Sequence, residues 1–346
     1  MKTVSNIYVD AFSVENIFHH TVLYFNKKHL FDKYGIHNAV QQIVDIVEHL
    51  DKVLNDGTYQ HGDYRQFVLY DVKRRVISVA TRIDRIVHSI LAEALMKVYA
   101  SVLIRTTYAC IPGRGISKCM QDIKYALWND VKGTQWAYKF DIYHFYDNMV
   151  HSRIIEVLRR KIRDEKFMKI LEVVIGSYEL TKGCGTPLGN STSQVDANVF
   201  LTCLDLFVKL EMRAKYYFRY MDDGLVLGPT KEMMHDCHTA TDWYLRTFME
   251  LRIKGNWQVF NIDKRDVDIV GFRINHYDLR LRRSILYAIY ERARKIKPKT
   301  EDDIKHKMSS DWGRIIILPE KHRTVIINNI LNYDTVHRKS RVRKVE

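Results

Sequence analysis

Three carboxylates hold the clearest chemistry in this chain. Asp222 and Asp223 stand side by side in YYFRYMDDGLVL (residues 216–227), between two apolar, aromatic and β-branched runs at a point where the chain should reverse. Adjacent acids repel, and burying one unpaired costs several kcal/mol, so a fold that keeps both between hydrophobic strands is expected to supply a divalent cation. A third acid, Asp141, ends the apolar run of KFDIYHFYDNMV (residues 139–150). Strands ending close together would gather Asp141, Asp222 and Asp223 around an ion pair, the ligand set of two-metal phosphoryl transfer. Neighbouring strand residues point to opposite faces, which makes Asp222 the nearer ligand and Asp223 the more peripheral one. The bland rival is an Asp-Asp-Gly surface turn.

Tyr146 follows Asp141 by five residues, where its ring would press on the sugar of an incoming nucleotide and disfavour a 2′-hydroxyl; plain core packing is the competing reading. The elements that must hold these residues follow from periodicity. Residues 1–58 read as a helical leader, with Val40, Ile43, Val44, Val47 and Leu50 at helical spacing before Asn55-Asp56-Gly57. QFVLYD and RRVISV form a basic hairpin near residues 59–78, followed by a helix over about 84–104. A Pro/Gly loop leads into another helix, and a strand over 136–143 carries Asp141. Helical spacing returns at Ile154, Val157, Leu158 and Ile162 and again at Ala197, Phe200, Leu201, Leu204 and Val208. After the hairpin of the paired acids come a helix through Met234, Cys237, Thr241, Tyr244 and Phe248 and β-like runs at Phe260 and Val270-Gly271-Phe272. This order describes an α+β fold, an antiparallel sheet backed by helices. A basic helix up to Pro298 puts Ile285, Ile289, Ala293 and Ile296 on one face, and the tail VHRKSRVRKVE is too poor in apolar residues to fold alone.

The chain has 346 residues, 46% of them hydrophobic, enough for two or three structural units. Its formal charge is +14; residues 273–346 hold 19 Lys and Arg against 9 Asp and Glu, so +10 of it lies in the C-terminal fifth. That asymmetry suits a polyanion, although a solvated basic face has the same composition. Cys110, Cys119, Cys184, Cys203 and Cys237 show no zinc spacing and read as reduced core or near-core thiols. None of the 15 histidines sits in an HExxH arrangement. With no apolar run of about 18 residues and no cleavable leader, the expectation is a cytoplasmic protein without a membrane partner.

In order and spacing, FDIYHFYD, GTPLGNSTSQVDAN, YMDD and IVGF resemble reverse transcriptases over roughly residues 59–296. Within that superfamily GTPLGNSTSQ, with GTYQHGDYRQFVLYDVKRRVIS, RIDRIVHSIL and TTYACIPGRG, resembles the enzymes of diversity-generating retroelements, relatives of the group II intron and retron enzymes. Leu188 stands where intron and retron enzymes have Gln, and Gln194 where they have Pro. The resemblance implies a right-hand polymerase: leader 1–58, fingers 59–135, antiparallel-sheet palm 136–272 and a short basic thumb and tail 273–346. It implies an RNA-directed DNA polymerase making error-prone cDNA on a template RNA from dNTPs, with a basic accessory variability protein as partner. Two Mg²⁺ ions, or Mn²⁺, would sit on Asp141, Asp222 and Asp223 with help from the carbonyl of Ile142. Lys73, Arg75 and Arg85 are the triphosphate candidates, against plain surface charge. The loop with Leu188, Gly189, Ser193 and Gln194 would approach the nascent base pair, while Asn190 or Ser191 caps the next helix. Lys254 is a general-acid candidate with Arg252 as competitor and a surface lysine as the alternative. Val270, Gly271 and Phe272 would grip the primer, unless they are only a core turn. The rival functions are a retron-like or phage-defence reverse transcriptase and a catalytically idle RNA-binding scaffold.

Overall fold

A computed structural model of the chain describes residues 3–70 and 74–332. Its first half runs α1 (Ile7–Ala11), α2 (Val14–Lys27), α3 (Leu30–Tyr34), α4 (Ile36–Asn55), β1 (Arg65–Tyr70), β2 (Arg74–Val79), α5 (Arg82–Tyr99), α6 (Ile116–Asn129), β3 (Trp136–Asp141), α7 (His151–Arg159) and α8 (Glu165–Gly176). The second half continues with α9 (Ser191–Leu206), β4 (Tyr216–Tyr220), β5 (Asp223–Gly228), α10 (Lys231–Phe248), β6 (Gln258–Asn261), β7 (Val267–Ile269), β8 (Phe272–Ile274), β9 (Leu279–Leu281), α11 (Arg283–Ile296), α12 (Glu301–Lys307), α13 (Ser309–Ile315) and α14 (Glu320–Leu331). Two compact units interleave along this order. The first takes residues up to 105 with 142–211 and 241–253; the second takes 106–141, 212–240 and the described residues from 254 on.

The first unit is helical apart from the β1–β2 hairpin, which pairs Arg65 with Val79 through to Tyr70 with Arg74. α4 packs on α2 and α3 through Ala39, Ile43, Ile46, Val47, Leu50 and Leu54. Val40 and Val44, expected on that stripe, are 48% and 39% exposed, because the face in contact is centred on Ala39, Ile43 and Leu50. α5 starts two residues before the expected 84, where the Thr81 hydroxyl accepts the Asp84 N–H as an N-cap. It stops at Tyr99, whose carbonyl takes the N–H of both Val102 and Leu103 in a tightened last turn. α7 likewise ends before Ile162, which forms a parallel bridge with Val4 instead of continuing the helix. The α8 helix, capped by Asp164, had no counterpart in the sequence reading.

The second unit holds a four-stranded sheet in the order β4-β5-β3-β6 with every neighbour antiparallel, and a three-stranded antiparallel sheet β7-β8-β9. One apolar cluster joins α6 (Met120, Ile123, Leu127), the inner faces of both sheets (Leu225, Phe272, Leu279) and α11 to α14 (Ile289, Ile304, Ile315, Ile326). Each such fully buried side chain contributes roughly 1.5–3 kcal/mol. Ile289 and Ala293 form the inward stripe of α11, but Ile296 is 36% exposed because the helix ends there, with Lys297 left-handed just before Pro298. The strand of Asp141 stops at that residue and not at 143, and β9 and the helices after α11 add to what periodicity suggested. All five cysteines are free; Cys110 is exposed in the loop before α6 and so departs from the near-core expectation. Among the described residues no helix is long and apolar enough to cross a membrane.

Candidate active site

β3 and β5 pair so that Asp141 lies directly across from Asp223, and Tyr220 of β4 flanks Asp223 on its other side. Met221 and Asp222 are left as the two-residue turn of the β4–β5 hairpin, with Met221 in the left-handed region at φ 56° as such a turn requires. Arg219, only 1% exposed, donates from Nη1 to the Met221 carbonyl at 2.9 Å and so ties the turn from beneath. Gly224 is not part of the turn. It is the second residue of β5 opposite Phe140, and a Cβ there would fall 2.2 Å from Phe140 Cζ. The aromatic before Asp141 and the glycine after Asp223 therefore interlock and fix the register of both acids.

Burial, first, and then the neighbouring Asp141 hold the Asp222 carboxyl well above the usual carboxylate range, with a hydrogen bond between the two carboxyls adding to the rise. Asp223 is raised as well, chiefly by burial, with Lys139 working against the shift. Lys254, Lys139 and Arg282 all pull on the acids. Lys254 Nζ stands 3.4 Å from Asp141 Oδ2 while its N–H donates to the Asp141 carbonyl at 2.8 Å, and Lys139 Nζ stands 4.0 Å from Asp223 Oδ1. Lys254 is thus beside Asp141 and not a remote surface lysine. Lys139 went unnoticed in the sequence, although it shares the strand face of Asp141 by the period-two rule.

Crowded carboxylates with raised affinity for a proton are a donor set that suits a hard divalent cation. Among the described residues no three His, Cys, Asp or Glu side chains are grouped closely enough to hold a metal by themselves, and Asp141 is the acid that acts most on Asp222. Such a site fits an ion that keeps waters and phosphate oxygens in its shell.

Val270 and Gly271 are both left-handed, φ 44° and 91°, and turn β7 into β8. The Gly271 carbonyl accepts the Arg282 N–H at 2.9 Å, and the Phe272 side chain is fully buried in the apolar cluster.

The remaining candidates belong to the first unit. Ile142 faces Ile253 in an antiparallel bridge, and Arg252 stacks over the Tyr143 ring at 4.1 Å. The Tyr146 carbonyl accepts the Thr186 N–H at 2.9 Å, and the Leu188 carbonyl accepts the Ser78 N–H at 3.2 Å. Gly189, at φ 114°, lets the loop pass so close to β2 that a Cβ would meet Ile77 Cγ2 at 3.0 Å. Tyr146, Leu188, Gly189 and the strand of Arg75 are thereby joined. Arg75 is exposed, and Arg85 packs its guanidinium on Tyr24 at 4.9 Å. Ser193 is 3% exposed within α9, and Gln194 beside it is half-buried. Lys73 lies outside the described residues. Asn190 occupies the N-cap of α9 without a capping side-chain bond; its Nδ2 donates instead to the Tyr64 hydroxyl at 3.4 Å.

The family described as "Reverse transcriptase (RNA-dependent DNA polymerase)" matches residues 70–274, more than half of the chain. The chain belongs to the reverse transcriptase family. It is 26% identical over 173 residues to the group II intron-encoded protein LtrA of Lactococcus lactis subsp. cremoris, a match over 47% of this chain and 28% of that one. It is 23% identical over 174 residues to an uncharacterized 91 kDa protein in the cob intron of Schizosaccharomyces pombe, over 48% and 21% of the two chains. The chain therefore spans well under half of the curated relatives it matches. Among solved structures, telomerase from Candida tropicalis in complex with a fragment of telomeric RNA superimposes with a TM-score of 0.50 at 11% identity, over 83% of this chain and 55% of that one. That likeness is of fold, and this reverse transcriptase has the α+β, right-hand polymerase fold expected from its motifs.

Proposed function

We propose that the chain is an RNA-directed DNA polymerase that extends a primer 3′-hydroxyl with dNTPs by two-metal phosphoryl transfer. The observation that carries this is the meeting of Asp141 and Asp222, with Asp223 across the ladder from Asp141, in a family whose matched region contains all three. Asp141, Asp222 and Asp223, with the Ile142 carbonyl, are the residues to hold two Mg²⁺ or Mn²⁺ ions. Bound there, the ions supply a lowered pKa for the attacking hydroxyl and countercharge for the triphosphate. Lys254, 3.4 Å from Asp141 Oδ2, is assigned the proton given to departing pyrophosphate, with Arg252 as the competitor. Arg75 and Arg85 hold the triphosphate, Tyr146 excludes the 2′-hydroxyl, and Leu188, Gly189, Ser193 and Gln194 meet the new base pair. Val270, Gly271 and Phe272 contact the primer through the backbone of their turn.

The leader, fingers, palm and thumb divide as 1–58, 59–135, 136–272 and 273–346, in a cytoplasmic protein. The setting we infer is error-prone cDNA synthesis in a diversity-generating retroelement, with a template RNA and a basic accessory protein as partners. Supporting it is Leu188, an aliphatic residue that cannot hydrogen-bond a base, in a loop seated on β2. Extension of a primed RNA by purified protein, with Asp222→Ala as control and deep sequencing of the cDNA, tests both levels. Extension lost in the variant supports the polymerase, and errors concentrated opposite template adenines support the retroelement setting. Accurate copying would favour a retron-like or defence enzyme, and no extension by wild type would leave an RNA-binding scaffold.

A further inference from the structure

A buried chain of hydrogen bonds in the first unit ends on the first turn of α9, where the nucleotide-contacting segment 188–194 enters the helix. The His61 and His88 rings meet Nε2 to Nε2 at 3.0 Å; His61 Nδ1 lies 2.6 Å from the Gly62 carbonyl, and His88 Nδ1 lies 3.3 Å from the Thr192 hydroxyl. The carbonyl end is assigned by chemistry, and a neutral pair of rings then sets the rest. A carbonyl only accepts, so His61 Nδ1 carries a proton and, in the neutral ring, Nε2 accepts. His88 Nε2 must then donate, His88 Nδ1 must accept, and the proton on Nδ1's other partner is that of Thr192. With both rings neutral, every bond in the row has one direction. His88 is neutral at ordinary pH, since burial, first, and then His61 press its pKa down to about 3, with Asp84 pulling the other way. The Asp84 carboxylate lies beside the pair, 3.9 Å from His61 Nδ1, and accepts from the Tyr59 hydroxyl at 2.8 Å, the Thr81 hydroxyl at 2.5 Å and the Gly62 N–H at 3.2 Å.

A second row runs beside the first. Tyr64 stacks on His61 with ring centroids 4.7 Å apart, accepts from Asn190 Nδ2 at 3.4 Å, and shares a 2.9 Å hydrogen bond with the Ser177 hydroxyl. Ser177 in turn donates to the Val174 carbonyl at 2.6 Å. The two rows rise from the segment ahead of β1 and from α5, and they end on Asn190, the N-cap of α9, and on Thr192 in its first turn, just ahead of Ser193 and Gln194.

We propose that His61 and His88, backed by Tyr64, are positioning residues for the nucleotide-contacting loop, fixing where its backbone meets the incoming dNTP. The pair touches no substrate. It acts by making the placement of Thr192 and Asn190 depend on directional bonds inside the unit, in addition to the backbone bonds that the Leu188 carbonyl and the Gly185 and Thr186 N–H groups make. This rests on the assignment of the loop to nucleotide binding.

Thr192→Val keeps the shape and removes the proton that His88 needs, and His88→Leu removes the relay; His88→Gln retains a donor and an acceptor. Hydrogen exchange of the 185–194 amides without substrate reads the positioning directly, and steady-state extension reads its consequence. Thr192→Val and His88→Leu should exchange about tenfold faster in this loop and raise the dNTP KM roughly tenfold with little change in kcat, and His88→Gln should recover most of both. Unchanged loop exchange in a folded Thr192→Val protein overturns the positioning role. Faster exchange with an unaltered KM overturns its link to dNTP, whereas a wild-type protein that extends no primer faults the polymerase reading and not the relay.

Discussion

Asp222 combines a turn position, burial and a carboxyl neighbour, so removing it should cost more than removing either flanking group. Primer extension should fall at least ~10²-fold for Asp222→Ala and less for Asp223→Ala, whose charge is shared with Lys139. Tyr146→Ala should let ribonucleotides in, read as the ratio of rNTP to dNTP incorporation; unchanged sugar discrimination removes the gate. A different acid shows what burial does with no ion to serve. Asp196, in α9 and fully buried, leaves Oδ1 without a hydrogen-bond partner, and burial pushes it up to about 7 from 3.8. Its sign is unusual. Between those values the unfolded chain has lost a proton that the folded one keeps, so stability falls as pH rises from about 4 to about 7. Asp196→Asn should stabilise the protein at neutral pH by up to ~4 kcal/mol, a gain that vanishes below pH ~4 in urea melts. The three acids were legible in the sequence because paired carboxylates between apolar runs break the usual pattern. Arg219 and the His61–His88 pair were not, since a buried polar residue on a strand or helix announces its partner only in three dimensions.

At the scale of elements, the hairpin works because Gly224 gives its side-chain space to Phe140. Gly224→Ala would overfill that space and cost about 1–3 kcal/mol while moving Asp223 off its register with Asp141. Thermal melting and extension should therefore both decline; a variant with wild-type activity and melting would mean the ring yields freely. Helices with long one-sided stripes, such as α4 and α10, were readable from spacing, and so was the β4–β5 hairpin. α8 follows α7 closely enough to merge with its pattern, although Asp164 signals a cap. The short α12 to α14 have charged faces and few buried positions each, which leaves periodicity little to work on. Strand ends were overrun for a similar reason: YHFY after Asp141 is as aromatic as the strand before it, and only the pairing with β5 decides where β3 stops.

Across the molecule, the interleaving of the two units is invisible to local pattern, but the charge is not. Of the formal +14, +10 belongs to residues 273–346, beginning with the exposed face of α11 and ending in VHRKSRVRKVE, whose residues from 333 on lie outside those described. A template–primer duplex held by its phosphates releases counterions, and affinity then falls as a power of salt concentration. With about 6–10 phosphate contacts the loss between 50 and 200 mM salt is ~10³–10⁵-fold. Fluorescence anisotropy on an RNA–DNA hybrid should give that steep, straight double-logarithmic line. Truncation before Val336 removes Arg338, Lys339, Arg341, Arg343 and Lys344 and should lower the slope by up to roughly 4. The residual slope measures what the rest of the chain contributes, α11 included. A line that is flat for the full chain would mean the basic C-terminal fifth is solvated surface, and a line unchanged by truncation would assign the contacts to residues before the tail.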